Sequence, residues 1–143
     1  MFLLIEVSTM NASTGLQRLR KAKPTGIMKA TLPDGSAFSG KFLAYQYPNL
    51  SRPGFFIAES GAHSIIVGFP RLQHGEEKTY IYPDDAPDFL WIYMIDGTYH
   101  YVDSGTLTLL IDNLGNAKGK FTFTGDGPNI NDGDFSVQFN KLT

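Results

Sequence analysis

From Thr25 to Thr143 the chain never holds apolar residues at a helical spacing over ten positions; Gly, Pro, Asn and Asp cut it into short apolar runs. No other feature constrains the fold as much, because runs of about four to eight residues between turn formers describe strands. "GIMKATL" and "SAFSGKFLAYQY" flank "PDG", and "GFFIAES" and "HSIIVGF" flank Gly61-Ala62. "FLWIYMI" and "TYHYVD" flank Asp96-Gly97, the strongest short-range hairpin signal in the chain. With "EKTYIY", "GTLTLLID", "GKFTFTG" and "GDFSVQFNK", the pattern amounts to about nine strands on short loops. It predicts an all-β antiparallel barrel or a barrel-like sandwich.

The alternation is cleanest near the carboxyl end. Leu107, Leu109 and Ile111 share one face opposite Thr106 and Thr108, and Phe121 and Phe123 face away from Lys120, Thr122 and Thr124. Phe135, Val137 and Phe139 alternate with Ser136, Gln138 and Asn140. Three successive strands apolar on one side only describe an antiparallel sheet with one wet face.

These same residues carry a resemblance. "GTLTLLIDNLGNAKGKFTFTG" followed by "DGDFSVQFNK" is similar to the carboxyl-terminal signature of a calycin-like family best known from bacterial lipoproteins. That signature is a Gly-Thr strand, a polar loop, G-x-F-x-F, then x-G-x-F-x-V-x-F. Upstream, "MKATLPDGSAFSG" resembles the family's opening hairpin, so the likeness spans roughly residues 26 to 141. It implies a calycin-like barrel and, through the family's best-known members, a bacterial source. Its motifs are structural glycines and core aromatics, which imply no particular activity. The family's lipid-attachment cysteine is missing, since the chain has no cysteine at all.

Composition narrows the function classes. With 143 residues, 42% hydrophobic and 18% charged, the chain can close one core and is no extended disordered protein. A net charge of −2 gives no broad attraction for nucleic acid. Absence of cysteine removes disulfides, thiolate metal sites and cysteine nucleophiles. "MFLLIEVSTMNASTG" lacks a basic leader, and its apolar run stops at Glu6, short of a signal peptide or a membrane span. The expectation is a cytoplasmic protein without membrane attachment, with the envelope as the alternative. Residues 1–24 read as an arm containing Arg18, Arg20, Lys21 and Lys23, and residues 25–143 as the barrel domain.

The hairpin at 89–103 bears most directly on function. With Asp96-Gly97 at its turn, Ile95 faces Thr98, Tyr93 faces His100 and Trp91 faces Val102 on one side. Leu90, Ile92, Met94, Tyr99 and Tyr101 occupy the other. Both faces are largely apolar. One fills the core, and the second has to be covered by the amino-terminal segment, by a partner subunit or by a ligand. Tyr45 and Tyr47 alternate ahead of Pro48, and Tyr80 and Tyr82 ahead of Pro83, where strands meet loops and a barrel mouth would be lined. Tyr45, Tyr47, Tyr80, Tyr82, Trp91, Tyr93 and His100 are therefore the candidate ligand-binding residues; the same rings serve equally well as core.

Catalytic and metal signatures are absent from the sequence. His63, His74 and His100 stand at no metal-ligand spacing. "GDGPNINDGD" places Pro128 and Ile130 where a calcium loop needs oxygen ligands. There is no G-x-S-x-G elbow, phosphate loop or dinucleotide motif. The reading is a non-catalytic barrel module for a small apolar or aromatic ligand, with no cofactor. The alternative is a protein-interaction module, a homodimer among its forms, that uses the amino-terminal arm or an exposed apolar sheet face. A small enzyme ranks third.

Overall fold

The computed structural model describes residues 24–46, 48, 53–70, 76–85 and 90–138. Every regular element among them is a strand. They are β1 (Thr25–Thr31), β2 (Ala37–Gln46), β3 (Gly54–Ser60), β4 (His63–Phe69) and β5 (Lys78–Tyr82). β6 (Ile92–Ile95), β7 (Thr98–Tyr101), β8 (Ser104–Ile111), β9 (Ala117–Thr124) and β10 (Ile130–Gln138) follow. All ladders are antiparallel, in one sheet ordered β5-β8-β9-β10-β1-β2-β3-β4-β6-β7.

Turn chemistry sets the hairpins. Asp96 and Gly97 both have positive φ (49° and 81°), the type I′ geometry that matches the twist of its flanking strands. Gly35 and Gly115 close two five-residue turns of the same design. In each, the first residue's N–H donates to the fifth residue's carbonyl, and the glycine N–H donates back to the first carbonyl.

One short connection curls the sheet. β7 runs into β8 through only Val102 and Asp103, although β7 ends the strand order on one side and β8 is next to last on the other. Three peptide units span at most about 10 Å, so the two margins are tied together. The register shows how. Tyr82 opposes Gly105 in the β5–β8 ladder, while the Val102 N–H donates to the Trp91 carbonyl and Ile92 opposes Tyr101 beyond it. Residues 78–95 thus run antiparallel to residues 98–111, interrupted by the excursion between Tyr82 and Trp91. Among the described residues ten strands occupy eight tracks in a barrel-like sheet, against the expectation of about nine, because each of the ten quoted runs forms a strand of its own.

Alternation decides what lies inside. Met28, Phe38, Phe42, Phe56, Phe69, Leu107, Phe121, Phe123 and Phe135 belong to one buried apolar cluster. The curl brings distant strands into contact across it: the Phe56 and Phe135 rings, from β3 and β10, lie 4.7 Å apart. Gly133 opposes Phe121 and leaves its inward side open to that ring, which a methyl group there would strike. Eight tracks enclose a space that side chains of this size can fill.

Candidate functional site

Trp91 stands at the centre of the sequence-derived site. It is fully buried, and its indole N–H donates to the Gly68 carbonyl at 2.8 Å. Tyr82 stacks on it with centroids 4.5 Å apart and planes 14° apart, and the Tyr82 hydroxyl accepts from the Trp91 backbone N–H at 3.2 Å. This pair staples together the two ends of the excursion between β5 and β6. Phe123 packs against the indole at 5.9 Å, and the missing side chain of Gly105 gives the ring its room. Tyr45 is buried too, its hydroxyl donating to the Gly115 carbonyl at 2.7 Å across the barrel. The polar atoms of all three residues are engaged within the protein.

Tyr93 and His100 come together at the barrel end that carries the 34–35, 61–62 and 96–97 turns. The Tyr93 hydroxyl lies 2.9 Å from His63 Nδ1, a hydrogen bond whose donor depends on the imidazole tautomer. The two rings are nearly parallel, 4° apart in plane and 5.9 Å between centroids. His100 lies 6.2 Å from Tyr93 on its other side. Burial, with the Asp34 carboxylate adding to it, pushes the Tyr93 phenol above its ordinary range. The Ser36 hydroxyl and then its backbone N–H hold Asp34 below the usual carboxylate value. A phenol shifted upward stays protonated near neutrality, which keeps the Tyr93 hydroxyl available as a hydrogen-bonding group beside His63. His63 is absent from the sequence-derived set. Its meeting with Tyr93 depends on the β4–β6 register, in which Ile65 opposes Tyr93, and no local pattern announces that register.

Tyr80 is half-buried at the open edge of β5, its phenol pushed upward by burial and then by Asp85. Tyr47 lies outside the described residues, as do His74 and the basic stretch 18–23. The acidic loops are occupied in turn building. Asp132 accepts from the Thr31 N–H at 2.8 Å and the Thr31 hydroxyl at 2.7 Å, and Asp85 accepts from the Ile81 N–H at 2.8 Å. Asn129 donates to the carbonyls of Gly125 and Gly127. Among the described residues no three His, Asp or Glu side chains form a group able to hold a metal ion.

The outward side of β2, β3, β4 and β6 differs from the rest of the surface. Ala44, Phe55, Ile57, Ile66 and Ile92 form a second buried cluster there, joined by the partly buried Leu43, Leu90 and Met94. The sheet separates this cluster from the interior. Tyr99 and Tyr101 continue the same side onto the edge strand β7, as their pairing with Met94 and Ile92 requires. They are 43% and 56% exposed and meet edge-on at 6.4 Å. Sequence reasoning placed all five hairpin residues of this side correctly together. It missed Phe55, Ile57 and Ile66, which sit in unbroken apolar runs where alternation cannot tell inside from outside.

Comparison of the chain with protein-family models, with curated proteins and with solved structures returned no match.

Proposed function

We propose that this protein is a non-catalytic interaction module that binds a protein partner through the outward side of the β6–β7 hairpin. The observation that carries this reading is the pair Tyr99 and Tyr101. Two large rings stand half in solvent on an edge strand, beside an apolar cluster rather than among polar residues. Tyrosine supplies a rigid apolar body with a hydrogen-bonding tip and is enriched where proteins meet. Among the described strands β7 pairs only with β6, so its second edge is where an incoming strand would add. An outer site has better support than an inner one, because Trp91, Tyr82 and Tyr45 already satisfy one another and the backbone around them.

The test is site-specific photocrosslinking in the native host. A benzophenone side chain at position 101 should yield an adduct of one discrete higher mass, and the same group at Thr106 should yield none. Equal labelling at both positions, or none at either, would remove the reading.

A further inference from the structure

The exposed rings of Tyr99 and Tyr101 meet edge-on, their planes 74° apart, and so offer solvent two differently oriented faces. An aromatic face carries the negative end of the ring's quadrupole, so it attracts cations as readily as it covers apolar groups. What stands around the rings decides which of the two uses fits.

Carboxylates stand at both ends of β7. Asp96 is exposed in the turn before it, its backbone held at φ 49° by the hairpin. Asp103 follows the buried Val102 and is exposed beyond Tyr101. The Asp103 carboxylate accepts from the Asp126 N–H at 3.1 Å, which brings a third exposed aspartate to that end. The described lysines are distant. Along the sheet, Tyr99 is joined to Lys41 through Met94, Ser64 and Glu59, four ladder steps or about 19 Å, and Lys41 already faces Glu59. On the other side the row Lys29, Asp134, Lys120 meets β8 at Thr108, and Lys78 and Lys118 oppose Leu109 and Leu110, all seven or more residues past Tyr101.

The order of the amino acids carries the same bias. From Thr79 to Ala117 there are six aspartates and no lysine or arginine. Charge therefore selects among occupants. A phosphate backbone would be repelled, and the same margin of a second copy would set carboxylates against carboxylates. We propose, resting on the interaction reading, that the partner presents a basic segment whose arginine side chain lies on the Tyr99 and Tyr101 rings, with Asp96 and Asp103 meeting its charge. Arginine fits better than lysine, because a planar guanidinium stacks on a ring and still directs N–H groups at a carboxylate. The rings supply contact area, and the aspartates supply orientation and a preference by charge.

Two substitutions remove the charge and keep the fold. Asparagine tolerates the left-handed backbone of Asp96, and in place of Asp103 it still offers an oxygen to the Asp126 N–H. In the full chain, a short synthetic peptide with arginine at alternate positions should shift the ring resonances of Tyr99 and Tyr101 and leave the methyls of Thr106 and Thr122 unmoved. The same peptide with glutamate in place of arginine should shift neither. Asp96→Asn with Asp103→Asn should weaken binding of the arginine peptide about fivefold, as removal of two exposed charges predicts, whereas Glu76→Gln with Glu77→Gln should leave it unchanged. An equal response to both peptides, or an affinity that ignores the Asp96 and Asp103 pair, would overturn the proposal. A discrete position-101 adduct in the host, with a yield unchanged in the double aspartate variant, would sink it and spare the interaction reading. An arginine-peptide response that needs both aspartates, with no adduct in the host, would do the reverse.

Discussion

Two halves of the outer surface back onto one interior and yet are built on opposite terms. Over β5, β8 and β9 the outward residues pair as hydroxyls across the strands: Ser104 with Thr124 at 2.7 Å, Thr106 with Thr122 at 2.8 Å, Thr79 with Thr108 at 3.0 Å. Lys118, Lys120 and Asp134 extend that polar side toward β10 and border an open groove of about 330 Å³. Over β2, β3, β4 and β6 the corresponding positions hold Ala44, Phe55, Ile57, Ile66 and Ile92. A strand that alternates is complete once its apolar side is buried, because water satisfies the other side. A strand apolar on both sides leaves half of its burial to be supplied from outside the sheet. The difference therefore locates where the sheet carries apolar burial on both of its sides.

The largest expected effect separates the halves directly. Phe55→Ala should cost about 3–5 kcal/mol in urea denaturation, as for a core phenylalanine. Thr122→Ala should stay within about 0.5 kcal/mol. Similar small losses in both variants would mean that the outward cluster is not a second core, and the comparison would collapse. Tyr45→Phe comes next. Its hydroxyl ties β2, in the apolar half, to the Gly115 turn between β8 and β9, and its loss should cost about 1–2 kcal/mol by leaving a buried carbonyl unpaired.

Acid probes the polar half. The Thr31 N–H and then its hydroxyl hold Asp132 below its ordinary value of 3.8. A depressed carboxylate stabilises the fold fully above 3.8, and that contribution is lost as pH falls through the folded-state value. Asp132→Asn should therefore flatten the acid limb of a urea-midpoint titration. Because the carboxylate is exposed, the loss at neutral pH should stay below about 1 kcal/mol. The smallest effect belongs to the double variant Thr106→Val and Thr122→Val. Replacing both partners of an exposed pair should shift stability by less than about 0.5 kcal/mol. Self-association in sedimentation should increase, as the polar half comes to resemble the apolar one.

Legibility in the sequence follows the same divide. The strands between Gly105 and Gln138 could be read with their faces assigned, since alternation is local and the core took the side that carries Leu107, Phe121 and Phe135. The 89–103 hairpin was legible as well: its turn type, the Tyr93–His100 pairing and its two apolar sides all follow from Asp96-Gly97. Phe55, Ile57 and Ile66 were not, because "GFFIAES" and "HSIIVGF" are apolar at successive positions and parity has nothing to discriminate. His63 was missed for another reason. Thirty residues separate it from Tyr93, and only the pairing of β4 with β6 brings them within hydrogen-bonding distance.

Strands, turns and the existence of a second apolar side were already written in the order of the amino acids, because each depends on neighbours within a few residues. Long-range packing was needed to settle that the run after β5 leaves the ladder at Tyr82 and rejoins it at Trp91, with the two rings stacked where it does so. The same packing settled that β7 passes into β8 and so joins the margins of the sheet. Closure of this kind is paid in loop entropy and returned by contacts between distant strands, such as Phe56 on Phe135, and no window of the sequence contains both terms.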